Sequence, residues 1–399
     1  MFTGGGVVSG GAHVDLGAEP QRGGATEPVE IEHHSLSLPQ HAEDGAGEGI
    51  GRQVNFGEVG IAQQRTLTGG RVVGLDHSLH GIRRYRPLLM VDEFALIDRI
   101  AEMVPGVAGG DVGIGDDCAV VATAGGGRLL LAADVAVEGV HFDRRWSTPA
   151  DAGWRAVATN VSDVAAMGGR PLHLLVSLVV GPGFDPEECM GGVARAARAW
   201  DVVVAGGDLS SGPATVISIA VTGTTDGRNP VLRSGAAAGD TVLVTGPVGR
   251  AAADLRLLEG GVAIDDVFDR ARSHRRPLAP VREGLAAANA GATAMIDVSD
   301  GLLADLGHVA SASGLGFEID AVPVAEGATV AEAVAGGDDY VLLICHPDPV
   351  TVVGAFAADH LDEPVVIGRL VDDAQARTLL GEQLPWLPGW RHELGVEDG

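Results

Sequence analysis

The sequence contains no lysine: all 27 basic residues among its 399 are arginine. A phosphate-binding loop of the G-x-x-x-x-G-K-[ST] type is therefore excluded, as is a protein-kinase site with its strand lysine. Any phosphate chemistry must use arginine and metal ions for neutralisation. Cysteine is scarce too. Cys118, Cys189 and Cys345 are too few and too scattered for a disulfide framework or a zinc site, which suits a reducing cytoplasm. No apolar run approaches the roughly 20 residues of a membrane span. The opening stretch "MFTGGGVVSGGAHV" lacks the basic and apolar regions of a signal peptide. Positive charge is outnumbered: 27 basic against 54 acidic residues leave a net charge of −27, which argues against nucleic acid or an anionic membrane as partner.

What is present suffices for a core, with 46% hydrophobic residues. The chain divides unevenly. Residues 1–89 hold 18 glycines and six of the 13 histidines without sustained periodicity, and read as a flexible extension or the product of an upstream start codon. From Met90, "MVDEFALIDRI" repeats Phe94, Ile97 and Ile100/Ala101 at helical spacing. Short apolar runs then alternate with helical patterns. The runs "RLLLAAD", "LHLLVSLVV", "DVVVAGGD", "TVISIAVTG", "DTVLVTG", "ATAMID" and "DYVLLIC" read as strands. "TPADAGWRAVATNVSDVAAMGG", opened by a Thr148-x-x-Asp151 capping box, and "SDGLLADLGHVASAS" read as helices. The pattern predicts an α/β (α+β) chain, split near residue 230 by the turn-rich "TTDGRNPVLRSGAAAGD" into halves at 90–228 and 229–399.

The aspartates carry the functional signal. Asp116 and Asp117 adjoin in "GIGDDCAVV", and like charges about 4 Å apart repel by roughly 4 kcal/mol at an effective dielectric near 20. Asp134, Asp208 and Asp297 stand where apolar runs meet turns, with Asp300 three residues beyond; Asp338 and Asp339 follow Gly336-Gly337. Asp163 lies inside an apolar helix pattern, where an unpaired carboxylate is costly. Each alone reads more readily as a turn former or, for Asp300, as a helix N-terminal charge. Together they point to convergence around divalent cations, and oxygen ligands favour Mg²⁺. Neighbours on an extended segment point opposite ways, so one member of the Asp116–Asp117 pair is expected to ligate and the other to close the turn.

"EFALIDRI", "GIGDDCAVV", "DVAVEGVHF", "NVSDVAAMGG", "VAGGDLSSGP", "LRSGAAAGD", "IDVSDGLLADLGH" and "GGDDY", in this order, resemble the thiamine-monophosphate kinase family, from about residue 90 to "PGWRH". The resemblance implies a two-domain fold like that of aminoimidazole ribonucleotide synthetase, homodimers joined through the N-terminal domains, and transfer of the ATP γ-phosphoryl group to thiamine monophosphate. It implies that 90–228 binds ATP and Mg²⁺ and dimerises, while 229–399 completes the substrate site. Carried over residue by residue, it makes Asp117, Asp134, Asp163, Asp208 and Asp297 ligands of several Mg²⁺ ions, with Asp300 on a further one. Gly207, Asp208, Arg233 and Ser299 would touch ATP; His141, Asp338 and Trp390 would touch thiamine monophosphate. No residue is assigned as acid, base or nucleophile. His141 reads alternatively as a core histidine and Trp390 as a packing plug. Ala132 and Ala133 stand where the family has hydroxyl residues, Val135 where it often has threonine, and Gly-Gly-Asp-Asp replaces Gly-Gly-Glu-Asp. The competing readings are a sister ATP-dependent synthetase and a decayed nucleotide or thiamine-phosphate binder.

Because residues 1–89 show no periodic apolar face, a chain shortened to begin at Met90 is expected to keep its melting temperature and activity. Loss of several degrees on calorimetry would show that the segment packs on the domain.

Overall fold

The computed structural model describes residues 89–91, 93–107, 111–261, 271–385, 387, 389–390 and 394–396. The expectation for the N-terminal extension, apart from Leu89, lies outside them. In chain order the elements are β1 (Leu89–Val91), α1 (Glu93–Met103), β2 (Ala119–Ala122), β3 (Arg128–Val137), α2 (Pro149–Ala166), β4 (Arg170–Val180), α3 (Pro186–Ala199), β5 (Val203–Ser211) and β6 (Val216–Thr224). There follow β7 (Thr241–Val244), α4 (Arg250–Glu259), α5 (Arg272–Arg275), α6 (Val281–Ala290), β8 (Ala294–Asp297), α7 (Leu302–Ala312) and β9 (Gly316–Ile319). The last are α8 (Val330–Ala335), β10 (Leu342–His346), α9 (Pro349–Ala358), β11 (Val365–Val371), β12 (Arg377–Leu379), β13 (Glu382–Gln383) and β14 (Leu394–Val396).

Each of the seven apolar runs becomes a strand, and the strands sort into two large sheets. One has the order β2-β3-β6-β4-β5 and the other β13-β12-β9-β11-β7-β10-β8. Pairing is antiparallel except for β4 with β5 and β9 with β12. The two halves are thus mixed sheets with helices, a two-domain α+β arrangement in which most strand neighbours run in opposite directions. β1 begins at Leu89, one residue ahead of the boundary expected at Met90, and pairs with β14 in a separate ribbon. Among the described residues no helix is long and apolar enough to cross a membrane. The three cysteines are free and buried.

Helix α2 is the central element. Its capping box is formed as the sequence predicts: the Asp151 amide donates to Thr148 Oγ1 at 3.1 Å and the Thr148 amide to Asp151 Oδ2 at 3.0 Å. Pro149 occupies the first turn, where its missing N–H costs nothing. Val157, Val161 and Val164 then bury completely against Leu174, Ile217 and Ile219 of the first sheet. On its other side α2 meets α6 closely enough that a Cβ on Gly284 would fall 2.1 Å from the carbonyl oxygen of Ala165. That contact joins the halves and holds α2 where both can address it.

Gly284→Ala is accordingly expected to destabilise the protein by about 2 kcal/mol or more, an overpacking penalty against backbone that cannot yield. Urea unfolding of the variant beside the parent measures it; equal midpoints would mean the helices separate freely.

Candidate active site

The two carboxylates of "GIGDDCAVV" do diverge. Asp116 turns to backbone, its Oδ1 accepting the Asp117 amide and its Oδ2 the Arg233 amide, both at 3.0 Å. Asp117 turns inward, its side chain 1% exposed. Arg233 places Nε at 3.2 Å and Nη2 at 2.5 Å from the same oxygen, Asp117 Oδ1. The other oxygen, Oδ2, is buried with no hydrogen-bond partner. Leaving a buried charged oxygen unpaired costs more than a hydrogen bond returns, so its surroundings matter.

Those surroundings are two more carboxylates. Helix α2 delivers Asp163 and the end of β8 delivers Asp297, and one oxygen from each of Asp117, Asp163 and Asp297 lies within 4.8 Å of the others. Ser162, beside Asp163, donates its hydroxyl to Asp297 Oδ2 at 2.5 Å. Burial pushes Asp163 well above the ordinary carboxylate range, helped by the charges of Asp134 and Asp297. Burial and then Asp117 raise Asp297 to about 7. Asp117 is raised by burial although Arg233 opposes it. Oxygen donors, one orphaned and three mutually repelling, are the donor set of a hard divalent cation such as Mg²⁺. The residues present fit that ion.

The other expected residues distribute around this centre. Asp134 is exposed near the end of β3, its amide donating to Asn160 Oδ1 on α2 at 3.1 Å. Its charge acts on both Asp163 and Asp297. Asp208 is exposed on β5, paired in register with Ser177, and does not join the three-carboxylate group. Gly207 has a packing reason of its own, since a Cβ there would fall 1.8 Å from the carbonyl oxygen of Val176. The Ser299 carbonyl accepts the Asp338 amide at 2.8 Å. Asp300 forms a second group, with Asp305 and His308. It shares a cavity of about 160 Å³ with Phe94, His308 and Trp390, and its carbonyl accepts the Trp390 amide at 2.8 Å. Trp390 stays half exposed. His141 accepts the Val137 amide on Nδ1 at 3.1 Å, so its ring is oriented by the turn after β3. Asp338 is taken up by Arg155, whose Nη2 lies 2.5 Å from Oδ1.

Arg155, Ser162, Asn160, Asp305 and His308 were not singled out by the sequence. A signal existed for two of them. Asp151, Arg155 and Ser162 recur four and seven residues apart, one face of an otherwise small and apolar helix. In the structure that face meets the second half: Asp151 pairs with Arg275 and Arg276, Arg155 with Asp338, and Ser162 with Asp297.

Family models match both halves of the chain. Residues 115–225 fit the family described as AIR synthase related protein, N-terminal domain, and residues 237–380 its C-terminal domain. The thiamine-monophosphate kinase of Mycobacterium tuberculosis is 38% identical over 333 residues, 79% of this chain and 95% of that protein. The thiamine-monophosphate kinase of Salmonella typhimurium is 31% identical over 316 residues, 75% of this chain and 96% of that one. Among solved structures, AaThiL complexed with AMPPCP and TMP is similar with a TM-score of 0.65 at 33% identity, over 75% of this chain and 97% of that chain.

The raised carboxylates make stability depend on pH in a defined direction. Asp297 moves from an ordinary value of 3.8 to about 7, so the fold favours its protonated form. The stability it contributes is full below about pH 4 and lost as pH rises to about 7. In chelator, Asp297→Asn is expected to lose less stability than the parent between pH 5 and pH 8, because its amide does not titrate. Mg²⁺ should raise the parent's melting temperature most at pH 8. Parallel pH profiles for variant and parent would mean that Asp297 is ionised at no cost.

Proposed function

The chain belongs to the thiamine-monophosphate kinases of the AIR synthase related family, and from that membership we propose that it moves the ATP γ-phosphoryl group directly onto thiamine monophosphate. The observation that carries the mechanism is the convergence of Asp117, Asp163 and Asp297 around the orphaned Asp117 Oδ2. These residues would hold Mg²⁺, with Asp134, Asp208 and Asp300 around further ions. The metal would supply charge neutralisation between two anionic phosphates, which is most of what phosphoryl transfer asks of a protein.

The chain's own groups do the rest. Arg233 is fixed by two donors on Asp117 Oδ1, and its Nη1 remains for an ATP phosphate, with the Gly207–Asp208 segment and Ser299 nearby in role. His141, Asp338 and Trp390 would contact the acceptor, Trp390 by stacking on the flat heterocycle. The acceptor phosphate is already anionic near neutral pH and needs no strong base. Cys118 is no nucleophile: burial first, then Asp163 and Asp117, push its thiol well above the ordinary range. On this reading 90–228 is the ATP- and metal-binding half and 229–399 completes the acceptor site. A homodimer through the first sheet is supported by exposed Val135 and Leu175, which the strand register puts on one face. A cytoplasmic location accords with three free cysteines.

Incubation of γ-labelled ATP with thiamine monophosphate and Mg²⁺ is expected to put the label on thiamine diphosphate, with ADP formed in equal amount. Asp163→Asn should cut this turnover by orders of magnitude without unfolding the protein. Label found mainly as free phosphate would point to a sister synthetase, and no ATP consumption to a binder; either overturns the proposal.

A further inference from the structure

Asp338 is held in a way that its role as an acceptor contact does not by itself require. Its backbone is left-handed, with φ +69°, and its amide is tied to the Ser299 carbonyl. Such a conformation in a non-glycine residue persists only when its surroundings over-determine it. Its Oδ1 takes two donors, Arg155 Nη2 at 2.5 Å and the Tyr340 hydroxyl at 3.1 Å. Arg155 is in turn anchored through Nη1 to the His274 carbonyl at 2.6 Å. The Arg155 side chain is 6% exposed and that of Asp338 29%, so the pair is dry at the guanidinium and open at the carboxylate.

Oδ2 is left without a hydrogen bond among the described residues. His274 Nδ1 lies 3.7 Å from it and is itself unpartnered. Burial and the charge of Arg155 push His274 down to about 4, so it stays neutral and does not compete as a cation. Arg155 sits on α2 two turns before Asp163, and the charge of Asp134 reaches it. One rigid helix therefore sets both the carboxylate cluster and the orientation of Asp338.

We infer that Arg155 is the positioning residue of the acceptor site, locking Asp338 so that Oδ2 accepts a hydrogen bond from a neutral amino group on the acceptor's flat heterocycle. Asp338 already has its counter-ion, so the pair as a whole is neutral and selects an N–H donor rather than a cation. A carbonyl at the same place on the heterocycle would meet Oδ2 acceptor to acceptor, with no hydrogen to donate. This rests on Asp338 being an acceptor contact, as proposed above.

The test compares thiamine monophosphate with its analogue carrying oxygen in place of the pyrimidine amino group, using the parent, Arg155→Met, Arg155→Lys, Asp338→Asn and the Arg155→Met/Asp338→Asn double variant. Arg155→Met is expected to raise KM for thiamine monophosphate by roughly tenfold to a hundredfold, the worth of a charge-assisted hydrogen bond. KM for ATP should stay within about twofold, since the lost interaction lies on the acceptor alone. The parent's preference for the amino compound should collapse in Arg155→Met and in Asp338→Asn alike. The double variant should be no worse than Asp338→Asn. If Arg155→Met does not fold, the double variant, which buries no unpaired charge, and Arg155→Lys, which cannot bridge Asp338 and His274 together, carry the comparison. An intact amino preference in a folded Arg155 variant, additive losses in the double variant, or an equal rise in KM for ATP would overturn the inference. Failure of the parent to phosphorylate thiamine monophosphate would instead overturn the functional reading on which it rests.

Discussion

Three carboxylates within 4.8 Å of one another, two of them almost wholly buried, repel, and the protein has to supply something against that repulsion. It supplies Arg233 on one oxygen and the Ser162 hydroxyl on another, and leaves Asp117 Oδ2 with nothing. The partial compensation is the informative part. A fully paired cluster would be a structural salt-bridge network; one that leaves a buried carboxylate oxygen unpaired fits the cation proposed above. Arginine suits the permanent share of this task, because a guanidinium engages two donors and stays charged whatever its burial.

The same economy recurs in both doubled aspartates. Asp116 spends its oxygens on the amides of Asp117 and Arg233, freeing Asp117 to face the cluster. Asp339 binds the amides of Gly249 and Ala251, capping the start of α4, while Asp338 faces Arg155. In each pair one carboxylate is a backbone fastener and the other a chemical group. Their adjacency is what makes the second precise, because the fastener fixes the peptide from which it springs.

Much of this was legible from residues alone. The strands were readable because each is an apolar run closed by a turn, and α2 because Thr148 and Asp151 announce its start. Asp163 stood out as a carboxylate in apolar company. The antiparallel pairing of most strands was not readable, since apolar runs that alternate with helices look alike in either direction. Nor was Arg155: helical spacing tells which face it shares with Ser162, but not that Asp338, far along the chain, would meet that face. Asp208 shows the converse. Its position after an apolar run matched that of Asp297, yet β5 runs on through it to Ser211 and leaves it exposed, outside the group of Asp117, Asp163 and Asp297. An apolar run tells that a strand passes there without telling where the strand stops.

The ribbon of β1 and β14 has a bearing on how the cavity beside Asp300 behaves in time. Three residues of each strand pair with each other and, among the described residues, with no third strand, and a two-stranded ribbon of that length is marginal in water. Because its strands come from opposite ends of the described chain, closing it is entropically slow and its loss releases few other contacts. It belongs to the low end of the protein's local opening energies, well below the sheets that hold the carboxylates. Trp390 lies four residues before β14 and its own amide is held by the Asp300 carbonyl, so the indole beside that cavity has an anchor that does not depend on the ribbon staying closed.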